Sequence, residues 1–146
     1  MMKKLFTLAA MLLALAACGG KENPEEGGKT NPSTKADITG IWELSSVATK
    51  VSVGSVDVSV YIEFTSDSSF TLYQKIGDGR YTMFTGTYAL SSDGKLSGTY
   101  SDNSAWGPYD AVIGEGTLTL TSAGGKETDT YKKISSIPDS VTGNVY

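Results

Sequence analysis

From Ile38 onward, apolar and β-branched residues come in short runs separated by Gly, Asp and Ser, with no apolar stripe at helical spacing. The clearest run sets Val56, Val58, Val60, Ile62 and Phe64 against Asp57, Ser59, Tyr61, Glu63 and Thr65. Alternation with a period of two puts each set on one face of an extended chain, so this run predicts a half-buried antiparallel strand. Further strands are predicted over 42–50, 70–76, 81–90, 95–100, 111–113, 117–121 and 128–134. The breaks at Ser66-Asp67-Ser68, Asp78-Gly79, Asp93-Gly94, Gly114-Glu115-Gly116 and Gly124-Gly125 suit tight hairpins, because Gly and Asp tolerate positive φ. Such short links leave no room for crossover helices. The expected fold is all-β: a small antiparallel up-and-down barrel of about eight strands, closed so that no edge is exposed. A two-sheet β-sandwich carries the same local signals.

The first residues follow a different pattern. Lys3 and Lys4 precede an uncharged Leu/Ala run over 5–17, and then come Cys18, Gly19 and Gly20. A basic start and a short apolar stretch ending in small residues form a secretory signal, too short to span a bilayer permanently. Leu15-Ala16-Ala17-Cys18 resembles the lipobox of bacterial lipoproteins. The resemblance implies a diacylglycerol on the thiol of Cys18, removal of 1–17, and a mature chain beginning at Cys18. Each buried methylene contributes about 0.8 kcal/mol, so two or three acyl chains would hold the protein at the membrane. Residues 18–37 read as a tether: 21–36 hold no large apolar residue and cannot offset the entropy of ordering. Glu22, Glu25 and Glu26 resemble the acidic cluster of Gram-negative lipoproteins displayed on the outer face of the outer membrane; a plain solvated spacer is the other reading. The expected domains are therefore the signal 1–17, the tether 18–37 and a barrel over 38–146.

Gly40-Ile41-Trp42 opens the first predicted strand and resembles the Gly-x-Trp signature of lipocalins and related calycins. In that family the tryptophan plugs the closed end of the barrel beneath a basic residue of the last strand. Lys132 or Lys133 stands where that residue would be, although the family's usual arginine is missing. The order of lipobox, tether, Gly-x-Trp and strand series is similar to small lipocalin-like bacterial lipoproteins. That implies a ligand-binding barrel whose interior includes Trp42, Phe64, Leu72, Phe84, Tyr88, Tyr100 and Leu118. A barrel this small either fills with those side chains or keeps room for one small apolar or amphipathic ligand. The triplets Gly86-Thr87-Tyr88 and Gly98-Thr99-Tyr100 are read as corresponding strand positions.

Composition narrows the chemistry. Without the signal, ten basic residues face sixteen acidic ones, a net charge of −6, which argues against nucleic acid as a partner. There is no histidine, the commonest general base and metal ligand, and no Gly-x-Ser-x-Gly elbow. No catalytic residue, metal or cofactor is therefore expected. Asp67, Asp78, Asp93 and Asp102 fall at turn tips, where they are expected to cap hairpins. Asp102, Asn103 and Asp110 are the nearest approach to a calcium loop and lack its alternating acids. The stretch 101–110 reads as a loop presenting Trp106 and Tyr109. If exposed, those rings would form a surface for a glycan or an envelope protein; if folded back, they would cover one end of the barrel.

Overall fold

The structure is a computed structural model that describes residues 37–49 and 57–146. Cys18 and the readings placed on the signal and tether lie outside the described residues. Eight strands run β1 (Gly40–Thr49), β2 (Val58–Phe64), β3 (Ser69–Ile76), β4 (Thr82–Leu90), β5 (Lys95–Tyr100), β6 (Ala105–Ile113), β7 (Thr117–Ser122) and β8 (Glu127–Ile134). A single helical turn, α1 (Asp139–Thr142), follows. Each strand pairs antiparallel with the next, and β8 pairs with β1, so the sheet closes as a barrel. That closing pair excludes the β-sandwich.

Period-two alternation decides which side chains point inward. On β2 Val60, Ile62 and Phe64 are buried, and on β3 Phe70, Leu72 and Gln74. Leu96 and Tyr100 on β5, Leu118 and Leu120 on β7, and Tyr131 on β8 complete the same core. Edge-to-face contacts of Phe70 with Trp106 (5.4 Å) and with Tyr100 (5.6 Å) fill the middle of the barrel.

The two Gly-Thr-Tyr triplets are paired with each other. Gly86 lies opposite Tyr100, Thr87 opposite Thr99, and Tyr88 opposite Gly98. A Cβ on Gly86 would meet the Phe70 ring at 2.8 Å, and one on Gly98 would meet the Trp106 indole at 2.5 Å. Glycine here is the space that neighbouring rings occupy.

The hairpins β2–β3, β4–β5 and β5–β6 share one geometry. The N–H groups of Ser68, Gly94 and Asn103 donate to the carbonyls of Thr65, Ser91 and Tyr100 at 3.2, 3.0 and 2.9 Å. All three donors have positive φ, as a type I turn with a following left-handed residue requires. Asp67 accepts from the Thr65 hydroxyl and from the Ser69 N–H, Asp93 from the Ser91 hydroxyl, and Asp102 from the Ser104 N–H. The hydroxyl bonds hold the Asp67 and Asp93 carboxyls below the usual range. The expected capping role thus holds for these three acids.

Residues 105–110, read as loop, are instead the first part of β6. Leu96 pairs with Tyr109 and Gly98 with Trp106, so Gly107 and Pro108 together oppose Ser97. This bulge turns two residues of opposite parity, Trp106 and Tyr109, toward the interior. Gly107 has φ 82°, and a Cβ there would lie 2.7 Å from the Leu96 carbonyl oxygen.

Candidate functional site

One end of the barrel is sealed. Trp42 is buried at the start of β1, and its indole N–H donates to the Ile38 carbonyl at 2.8 Å. Across the β1–β8 seam, the Lys133 ammonium stands 5.3 Å from the Trp42 ring centroid and donates to the Thr39 carbonyl at 3.1 Å. Gly40 makes this possible, since a Cβ there would lie 2.7 Å from Lys133 Cε. Of the two candidate lysines, Lys133 covers the tryptophan. Lys132 points outward and pairs with Glu43 at 3.0 Å, while the Tyr61 hydroxyl donates to the other Glu43 oxygen at 3.1 Å. Partial burial and then Glu43 push the Tyr61 phenol up to about 12. At this end Tyr88 packs edge-to-face on Phe64 (4.9 Å) and donates to the Thr65 carbonyl at 2.8 Å. A concavity of about 630 Å³ lies outside the seal, lined by Asp37, Ile38, Thr39, Ser66, Ser68, Tyr88, Ala89 and Leu90. Its walls are the lead-in, the β2–β3 turn and the end of β4, and Trp42 and Ile38 stand between it and the core.

At the opposite end the described residues form a second concavity, the mouth. There Gln74, Thr82 and Phe84, inward-facing on β3 and β4, line a concavity of about 200 Å³ together with Ile76, Asp78, Arg80 and Tyr146. Gln74 is 4% exposed, a polar group drawn into the wall by the alternation Phe70-Leu72-Gln74. Phe84 packs on Tyr100 (5.9 Å), so the floor of the concavity is aromatic. The mixture of an apolar floor with a few convergent polar groups is the usual make-up of a small-molecule site, although this volume holds only a small ligand or one end of a longer one.

Across the barrel, β8 contributes Asp129, opposite the inward-facing Leu120. Burial, then the Glu127 carboxylate, raises the Asp129 carboxyl to about 6. Burial also raises the phenols of Tyr100, Tyr109 and Tyr131, with Asp129 adding to the effect on the last two. The interior wall at β8 is therefore acidic and phenolic, while the β3–β4 corner carries a guanidinium.

The seven predicted lining residues share the interior but do not surround one cavity. Trp42, Phe64, Leu72, Tyr100 and Leu118 are buried in the packed core; Phe84 opens on the mouth, and Tyr88 on the concavity beyond the seal. Of the two readings of Trp106 and Tyr109, the exposed aromatic surface is not there. Trp106 is 3% and Tyr109 8% exposed, because the β6 bulge turns both rings inward. Nor are Asp102, Asn103 and Asp110 brought together. Asp110 ion-pairs with Lys95, five residues and about 16 Å along β5 from the turn that holds Asp102. Among the described residues no cluster of acids could hold a metal. Sequence reasoning missed Gln74, Thr82, Arg80 and Tyr146. Parity along β3 and β4 marks the first two, but nothing local places Tyr146 beside Arg80.

The family model for the lipocalin-like domain matches residues 38–137. Among solved structures, a lipoprotein YedD from Klebsiella pneumoniae subsp. pneumoniae MGH 78578 is similar at 10% identity and a TM-score of 0.50, over 74% of this chain and 80% of that one. A DUF4847 family protein from Bacteroides vulgatus ATCC 8482 has 13% identity and a TM-score of 0.45, over 71% of this chain and 97% of that one. No curated protein matches.

Proposed function

This chain belongs to the lipocalin-like domain family, and on that premise we propose that it is a binding protein of the bacterial envelope, anchored at the outer membrane through lipid on Cys18, possessing a mouth that takes a small amphipathic molecule. The observation that carries the reading is the concavity where inward-facing Gln74, Thr82 and Phe84 meet Ile76 at the end opposite the Trp42 seal. Rings occupy the middle of the barrel and Trp42 with Lys133 closes the far end, which supports the mouth, rather than the core, as the ligand's place. The lipobox-like Leu15-Ala16-Ala17-Cys18 and the polar stretch after it support the anchor, and the acids at 22, 25 and 26 support display outward. The reading assigns no catalytic step and no cofactor.

The test uses the lipid-free protein begun at Gly19, because the barrel closes wholly within residues 40–134. The neutral apolar dye Nile red is titrated against it. Saturable one-to-one binding is expected, lost in a Thr82→Phe variant whose new ring fills the mouth. Dye uptake that never saturates, or that Thr82→Phe leaves intact, rules the mouth out as the ligand site.

A further inference from the structure

Arg80 is the only arginine of the chain, and the fold places it on the lining of the mouth. It ends the β3–β4 corner Gly77-Asp78-Gly79-Arg80, in which both glycines have positive φ (69° and 131°). The corner is held from outside by the C-terminal segment. α1 anchors that segment through Val141, 1% exposed. Beyond it the Tyr81 N–H donates to the Asn144 carbonyl at 2.9 Å, and the Tyr146 N–H donates to the Tyr81 carbonyl at 3.1 Å. Val145 forms a parallel bridge with Tyr81. The result sets the Tyr146 ring 5.8 Å from the Arg80 guanidinium carbon, with the ring hydroxyl lying over Gly79.

Charge bookkeeping at this corner is incomplete. The ion pairs among the described residues are Lys95–Asp110 and Lys132–Glu43, and Arg80 is in neither. Among the described residues its planar fork thus faces an aromatic ring and no carboxylate, at the rim of a concavity with a phenyl floor. Guanidinium matches the two coplanar oxygens of a carboxylate better than an ammonium would. Asp78 lines the same concavity, and Asp129 and Glu127 face the interior from β8, so a head group with two negative charges would be repelled.

We propose that the Arg80–Tyr146 corner recognises the carboxylate of a small amphipathic monoacid whose apolar body lies on Phe84 and Ile76. The inference rests on the mouth being the ligand site and adds the class of ligand. The lipid-free protein is titrated calorimetrically with octanoate, 1-octanol and octyl phosphate. Octanoate is expected to bind about two- to fivefold more tightly than octanol at low salt, the range an exposed charge pair supplies, with the advantage shrinking in 0.5 M salt. Arg80→Gln should abolish that advantage and leave octanol binding unchanged. Tyr146→Ala should reduce it, through the loss of the ring that orients the guanidinium. Equal affinity for octanoate and octanol overturns the carboxylate assignment while the mouth site stands. Preference for octyl phosphate overturns it too, in favour of a doubly charged head. Failure of octanol and octanoate alike, together with failure of Nile red, overturns the mouth site itself.

Discussion

Asp129 projects from β8 into the barrel beside Glu127, and the neutral form of its carboxyl is favoured up to about pH 6. The sign of the effect on stability follows from proton counts. In the unfolded chain this group titrates near 4, so between about pH 4 and 6 the folded state binds more protons than the unfolded one. Stability contributed by this residue therefore falls as pH rises through that window, and the full penalty is present above it. The shift corresponds to about 3 kcal/mol at most, and water reaching the partly exposed group reduces this to about 1–2 kcal/mol. Asp129→Asn keeps the shape and removes the charge. Urea denaturation is expected to show that variant more stable than the parent by that amount at pH 7.5, with the difference gone by about pH 3. A variant no more stable at pH 7.5 would mean that Asp129 is better solvated than its position on β8 implies.

At the scale of elements, β4 and β5 show how a barrel of short strands accommodates large rings. Each glycine of one Gly-Thr-Tyr triplet opposes the tyrosine of the other, so bulky and empty positions alternate across the pair. Gly98 is confined on two sides: a Cβ there would lie 2.3 Å from the Thr87 carbonyl oxygen and 2.5 Å from Trp106. Backbone on one side and a buried indole on the other cannot both retreat. Gly98→Ala is expected to cost about 2–3 kcal/mol, lowering the melting temperature by roughly 10–20 °C. Thr99→Ala, one residue on and facing outward, should stay within about 0.5 kcal/mol of the parent. Equal melting temperatures for the two variants would show that β5 can move away from β4. The β6 bulge belongs at this scale as well. Trp106 and Tyr109 are three residues apart, a spacing that a regular strand assigns to opposite faces. Only the pairing with β5, where Gly107 and Pro108 share one partner, brings both inside.

For the whole molecule, the closing seam between β8 and β1 is the decisive contact. It pairs Trp42 with Lys133 and Glu43 with Lys132, alternately sealing the interior and fastening the outer wall. The proposed anchor is tested separately from the barrel. In cells fed labelled fatty acid, the parent is expected to carry label in the membrane fraction, and Cys18→Ser to carry none. Label retained on the variant would place the acyl group elsewhere. Strand number, strand order and the inward faces of β2, β3, β5 and β7 were legible in the sequence, because period-two alternation and hairpin chemistry are local properties of a few neighbouring residues. The seal was half legible: Gly-x-Trp identified Trp42, but Lys133 and Lys132 are adjacent, and only the register with β1 assigns the first to the ring and the second to Glu43. The burial of Trp106 and Tyr109 and the meeting of Arg80 with Tyr146 were decided by the tertiary structure alone. The first depends on a bulge defined by a partner strand, and the second on a terminal segment returning 66 residues later in the chain to the β3–β4 corner. Neither spacing nor hydropathy encodes such contacts, since both measure a residue against its neighbours in the chain and not against what packs on it.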